Sequence, residues 1–274
     1  MNTSPPDHSV LKAGRCALIG MVHLQALPGS PGWGGSMEAV LGAALRDAER
    51  LLGGGCDALM LENMGDLPFL AGRVEPETVA AAARVTSRVV ALGAPTGIQL
   101  LAGANREALG VALACGCGFV RAEAFAYAHV ADEGLLEASA GPLLRARAAL
   151  GAAKGPRRVE VWADVQKKHA AHALTRDLSL EELARGNAFC GADALIVTGS
   201  RTGSSTSLQD LSQSARAGLP VIVGSGVTPA DAADLARAGA QGLIVGTWLK
   251  EQGDWRRPVD EARVRALRAA LDAT

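Results

Sequence analysis

The chain has 274 residues, 49% of them hydrophobic but only 3% aromatic, so it can bury a large aliphatic core, and its length suits one barrel-sized domain. With 27 basic and 28 acidic residues the formal net charge is -1, which excludes a global field favouring nucleic acid or an anionic membrane surface. No apolar run approaches the ~20 residues of a membrane span, and residues 1–8 lack signal- or transit-peptide character, so a cytoplasmic protein with no membrane span is expected.

In chain order, residues 1–14 read as a disordered N-terminal extension, and 15–274 as one domain. Eight strand-like runs follow, at 16–22, 57–62, 96–101, 118–123, 159–164, 193–198, 220–224 and 241–246, and helical patterns follow almost every one. The first helix carries apolar positions at Val40, Ala44, Leu45, Ala48, Leu51 and Leu52 and ends at Gly53-Gly54-Gly55. A capping box opens the fifth helix at Ser179-Leu180-Glu181-Glu182. A Gly-[Ala/Cys]-x-[Ala/Gly]-aliphatic junction recurs at Gly55, Gly116, Gly191 and Gly239 and leads into the even-numbered strands. Apolar runs without clean alternation fit parallel strands covered by helices, hence a (β/α)8 TIM barrel of α/β class. An open doubly wound sheet is the alternative; against it, the first strand runs into His23-Leu24-Gln25 and not into a G-x-G-x-x-G turn.

Five cysteines, at 16, 56, 115, 117 and 190, make no disulfide framework and read as buried thiols; Cys115-Gly116-Cys117 lacks the second pair a zinc site needs. Segments 125–133 and 166–178 are long enough to act as lids, with Lys167, His129 and His172 read as loop residues.

The last two strands stop at small-residue turns, Gly224-Ser225-Gly226 and Gly246-Thr247, the first leading through Thr228-Pro229 into a helix. Glycines let a backbone approach an anion, and amides at a helix N-terminus point toward it, so a small phosphorylated metabolite is the expected ligand. The bland reading is that the glycines only make tight strand-to-helix turns.

Chemistry in such barrels gathers where strands end, and these ends are polar: His23, Glu62-Asn63 with Asp66, Asn105, Arg121 with Glu123, Asp164 with Lys168-His169, and Thr198. Glu62, Glu123 and Asp164 suit acid–base work, with His23 and Lys168 stabilising a developing oxyanion; Asn63, Asp66, Asn105, Arg121, His169 and Thr198 are candidate substrate contacts. Alternatives are a structural Arg121–Glu123 ion pair, a core role for His23, and a divalent cation held by the carboxylates with His23 and His169. No cofactor is evident. Closed symmetric homo-oligomers being common, a dimer or larger is the default expectation.

At these residues the chain resembles the BtpA/SgcQ family of ribulose-phosphate-binding barrels. The resemblance is carried by Gly20-Met21-Val22-His23-Leu24, Leu27-Pro28-Gly29-Ser30-Pro31, Glu62-Asn63-Met64-Gly65-Asp66-Leu67-Pro68-Phe69, Ala163-Asp164-Val165 with Lys168-His169-Ala170, Val197-Thr198-Gly199 with Thr202-Gly203, and Val245-Gly246-Thr247-Trp248-Leu249-Lys250. It implies a barrel and little about reaction, the family name coming from a cyanobacterial member needed for photosystem I accumulation. Many members resemble this chain except at Glu123, where they carry a neutral polar residue. Two functions are therefore expected: an enzyme acting on a phosphorylated sugar- or nucleoside-like metabolite, an isomerase, epimerase or aldolase-like lyase; or a non-catalytic assembly factor.

Overall fold

The computed structural model describes residues 10–12, 14–199 and 207–273; residues 1–9 and the noted Thr202 and Gly203 lie outside the described residues. All eight expected barrel strands form, with ends within two residues of expectation: β1 (Ala17–His23), β2 (Ala58–Glu62), β3 (Thr96–Gln99), β4 (Phe119–Ala122), β7 (Glu160–Asp164), β9 (Ala194–Val197), β10 (Val221–Val223) and β11 (Gly242–Val245). They close into one parallel barrel in the order β1-β11-β10-β9-β7-β4-β3-β2. Among the described residues eight α-helices run between and after them: α1 (Met37–Gly53), α2 (Pro76–Val90), α3 (Asn105–Cys115), α4 (Ala140–Ala149), α5 (Leu180–Phe189), α6 (Leu208–Ala215), α7 (Pro229–Arg237) and α8 (Glu261–Asp272).

The local signals explain the joints. The recurrent glycines 55, 116, 191 and 239 take φ of 101°, 81°, 92° and 99°, the left-handed conformation that ends a helix and that side chains with a Cβ rarely adopt. Ser179 and Glu182 form the capping box reciprocally at the start of α5. On α1 the buried face is Val40, Leu41, Ala44, Ala48 and Leu51, together with Asp47, while Leu45 and Leu52 are half-buried. Asp47 is tolerated there because Lys250 Nζ (2.6 Å) and the Val259 N–H (2.8 Å) donate to its two oxygens.

Two apolar layers result, one between the barrel and its helices and one inside the barrel. Inside, side chains alternate along each strand, so Ile19, Met60, Ile196, Ile222 and Ile244 meet at the centre with the stacked rings of Phe119 and Trp162, whose centroids lie 3.7 Å apart. Gly97 makes room for that stack, since a Cβ there would fall 2.1 Å from the Phe119 ring. Gly97→Ala is expected to cost about 1–3 kcal/mol through overpacking, read as a lower urea midpoint; an unchanged midpoint would show that the rings have slack.

Val10 and Leu11, within the segment expected to be disordered, pack against this inner layer. The five cysteines are free, but only Cys56 and Cys117 are buried; Cys16, Cys115 and Cys190 are half-buried. Burial pushes the Cys16 and Cys56 thiols up to about 12, the opposite of a reactive thiolate. The two segments taken as lids pair with each other. With the adjoining β6 (Gly134–Leu136), β5 (His129–Ala131) and β8 (Ala170–Ala171) form a three-stranded antiparallel sheet, which buries His129. Among the described residues no helix is long and apolar enough to cross a membrane.

Candidate active site

The C-terminal ends of the strands surround a cavity of about 240 Å³. Register puts its first pair together: β1 and β2 run in parallel with His23 opposite Glu62, and His23 Nε2 lies 3.5 Å from Glu62 Oε2. Gly246 on the far side lets the imidazole in, because a Cβ there would fall 2.7 Å from His23 Cε1. Burial, then the positive charges of Lys250 and Lys168, lowers His23 to about 3, which favours the neutral imidazole at pH 7. Burial raises Glu62 against the opposing pull of Arg121 and Lys168.

Arg121 faces inward one step above Phe119 and meets Asp164, one step above Trp162. Its Nε and NH2 donate to the carboxylate in a fork at 3.0, 3.2 and 3.1 Å, and both side chains are buried. The ion pair that spacing suggested within one strand, Arg121 with Glu123, is therefore replaced by one between neighbouring strands. The barrel stagger brings Asp164 within the guanidinium's reach, whereas Glu123 lies beyond the end of β4 and its Oε2 has no partner among the described residues. Burial lifts Glu123 to about 8, with Asp164 adding repulsion and Lys167 opposing, so Glu123 is largely a neutral carboxylic acid at pH 7.

Both lysines of the Lys167-Lys168 doublet line the cavity. Lys167, read as a loop residue, is instead buried, its Nζ donating to both Glu133 oxygens at 3.0 and 2.9 Å and tying the small sheet to the barrel mouth. Lys168 has no carboxylate within 4 Å among the described residues; burial and the nearby Arg121 depress its pKa, against the pull of Glu62, Asp164 and Glu123. The non-glycine residues with left-handed backbone, Ala124 (φ 46°), His169 (φ 54°) and Gln252 (φ 58°), each adjoin or are themselves cavity-lining residues: Glu123, His169 and Gly253. Such strain gathers where the surrounding structure fixes a functional geometry.

At the other side the cavity is lined by Gly224, Ser225, Gly226, Thr228, Gly246 and Thr247. Gly226 takes φ 67°, and Gly224 is also required for packing, since a Cβ there would fall 2.7 Å from Ile196 Cγ2. Thr228 occupies the N-cap of α7 with Pro229 following, as expected, but its hydroxyl donates to the Asp231 carboxylate (2.7 Å) and no backbone amide is capped by it.

Of the proposed catalytic and binding groups, His23, Glu62, Glu123, Lys168, Arg121 and His169 reach the cavity, as do Gly224, Ser225, Gly226, Gly246 and Thr247. Asn63, Asp66, Asn105, Thr198 and Asp164 do not line it. Asn63 and Asp66 brace the loops: Asn63 Nδ2 donates to Asp66 (2.8 Å), Asn63 accepts from the Leu101 N–H (2.7 Å) and Asp66 from the Leu27 N–H (2.6 Å). Asn105 Nδ2 donates to the Glu123 carbonyl (2.7 Å), and Thr198 to the Gln166 carbonyl (3.1 Å), so both steady the backbone beside a cavity residue. Met64, Phe69, Leu101 and Trp248 supply an apolar wall that strand-end reasoning missed, three of them on loops outside the apolar runs. Among the described residues no group of three or more His, Cys, Asp or Glu stands close enough to hold a metal ion.

The BtpA family model matches residues 15–273. The chain is 39% identical over 262 residues to an uncharacterized mitochondrial protein of Caenorhabditis elegans, covering 93% of this chain and 92% of that one. It is 36% identical over 260 residues to the photosystem I biogenesis protein BtpA of Synechocystis, covering 93% and 87%. Among solved structures, phosphoribosyl anthranilate isomerase from Thermus thermophilus aligns with a TM-score of 0.55 at 17% identity over 94% of this chain and 98% of that one. Thiamine phosphate pyrophosphorylase from Pyrococcus furiosus aligns with 0.55 at 15% over 94% and 96%. These structures share the TIM-barrel fold. The extent of the family match, with relatives at this identity over nearly the full length, places the chain in the BtpA family.

Proposed function

We propose that the protein is an enzyme that binds a small phosphorylated sugar- or nucleoside-like metabolite and moves a proton next to a carbonyl. The observation that carries this reading is one cavity with two chemically different sides: glycine turns on one, and on the other Glu62, neutral Glu123, neutral His23 and unpaired Lys168. The turns would take the phosphate through backbone amides. Glu62 would remove a proton, with His23 and Lys168 polarising the carbonyl and Glu123 returning a proton to oxygen. Asp164 would act through Arg121, holding that cation fixed beside the carboxylates. The barrel neighbours named for phosphate-bearing compounds support the phosphate half by analogy of fold alone.

Thermal unfolding against a panel of sugar phosphates, nucleotides and inorganic phosphate, with and without magnesium, tests it. A binder at ~100 times its Kd adds about 2.7 kcal/mol, and Gly226→Trp is expected to abolish that gain. No gain with any phosphorylated compound would make the turns structural only. It would favour the second reading, an assembly factor, for which the exposed Val130 and Leu135, opposite each other on the small sheet, offer a docking surface.

A further inference from the structure

Only five of the 27 basic residues are lysines, so this chain uses arginine for nearly every cation, and where it keeps lysine is informative. Arginine stays charged at any working pH, whereas a lysine can shed its proton and become a nucleophilic amine. Lys250 is committed to Asp47 and Lys167 to Glu133, both in buried ion pairs. Lys12 and Lys154 are exposed and do not line the cavity. Lys168 is left: it lines the cavity, has no carboxylate within 4 Å among the described residues, and shares the space with Glu62 and Glu123. A lysine meant only to hold charge would gain by pairing with one of those acids, as Lys167 does with Glu133.

Resting on the phosphorylated-substrate reading above for the ligand's other end, we propose that Lys168 forms a Schiff base with the carbonyl carbon of a phosphorylated aldehyde or ketone. The Lys168 nitrogen lone pair attacks the carbonyl carbon, the C=O π pair moves to oxygen, and a proton passes from nitrogen to that oxygen to give a carbinolamine. Glu123, a protonated acid with a free oxygen, then gives its proton to the hydroxyl; the C–O bond breaks, water leaves and the C=N bond forms. The products are a protonated imine beside the Glu123 carboxylate, so charge is matched as it is created. The imine draws electrons from its α-carbon, where Glu62 can take a proton, and water reverses the sequence to release product. Burial beside Arg121, which favours the neutral amine, is consistent with this role.

Reduction traps the imine as a secondary amine. The full chain would be incubated with glyceraldehyde 3-phosphate or with unphosphorylated glyceraldehyde, treated with borohydride, and read by intact mass and by peptide fragmentation that separates Lys167 from Lys168. The expected result is one adduct per chain, on Lys168 in preference to exposed Lys154. Lys168→Arg, which keeps the charge, should lose the adduct while retaining stabilisation by inorganic phosphate. Adducts confined to Lys12 and Lys154, or none, with phosphate stabilisation intact would overturn the Schiff base and leave the phosphate reading standing. Equal trapping of both aldehydes, with no phosphate stabilisation, would support the Schiff base and remove the phosphate.

Discussion

Asp164→Asn is expected to destabilise the protein by about 3–5 kcal/mol, measured by urea unfolding at pH 7, because it leaves the buried Arg121 guanidinium without its counter-charge. The amide keeps the shape of the carboxylate but offers one acceptor oxygen where Arg121 now donates to two. The charge stays, since an arginine cannot be deprotonated in the protein. Replacing both partners together, Arg121→Met with Asp164→Leu, should recover most of the loss, because apolar groups of similar volume remove the desolvation cost along with the pair. A double variant no more stable than Asp164→Asn would show that the pair also holds the barrel stagger. The same substitution should displace Arg121 from beside Glu62 and so change the chemistry as well as the stability.

Stability should fall by up to ~1.4 kcal/mol per pH unit between about pH 6.5 and 8, and Glu123→Gln should flatten that slope. The folded pKa of Glu123, about 8, lies above its ordinary value of 4.5, so the folded state holds a proton the unfolded chain has already lost. Its contribution is complete below about pH 4.5 and is lost as pH rises through 8. His23, lowered to about 3, and His129, lowered to about 4, work in the opposite sense: the unfolded chain binds their protons up to about 6.5, so they favour folding as pH rises toward that value. Above pH 6.5 the histidines add nothing further; Glu62, also raised by burial, acts in the same sense as Glu123, and Lys168, lowered by burial, in the opposite one, so the change of slope in Glu123→Gln isolates the Glu123 share. Urea midpoints of wild type and Glu123→Gln at pH 6.5, 7.2 and 8 read this directly. Parallel slopes would show that Glu123 is ionised in the folded protein at neutral pH.

The eight strands were legible because each is a short apolar run, most of them stopping at a glycine or a polar residue, and the junction glycines mark four helix ends by backbone conformation. Part of the site was legible for a reason of parity. Strand positions alternate between inside and outside, and on four strands the inward set turns polar at the C-terminal end: Ile19 and Met21 give way to His23, Met60 to Glu62, Phe119 to Arg121, Trp162 to Asp164. What parity does not give is the sideways step between neighbouring strands, set by barrel stagger, and this decided that Arg121 meets Asp164 and not Glu123. Nor does sequence distance show that residues 129–131 pair with 170–171 across an intervening helix and strand, which is why Lys167 and His129 read as solvated loop residues. Asn63 and Asp66 look like ligand-binding groups in the sequence because the polar atoms that brace a loop are of the same kinds as those that hold a substrate.

The ring stack beneath the cavity has a consequence for how the molecule can be watched. Of the four tryptophans, Trp162 is sealed against Phe119, while Trp248 lines the cavity and Trp255 stands edge-on to His23 with ring centroids 6.1 Å apart. A soluble quencher such as acrylamide should therefore divide the intrinsic fluorescence into a protected component from the barrel centre and an accessible one from around the mouth. A compound that fills the cavity would alter only the accessible component. Loss of the barrel would unmask the protected one, so a single unlabelled sample carries separate optical signals for occupancy and for integrity.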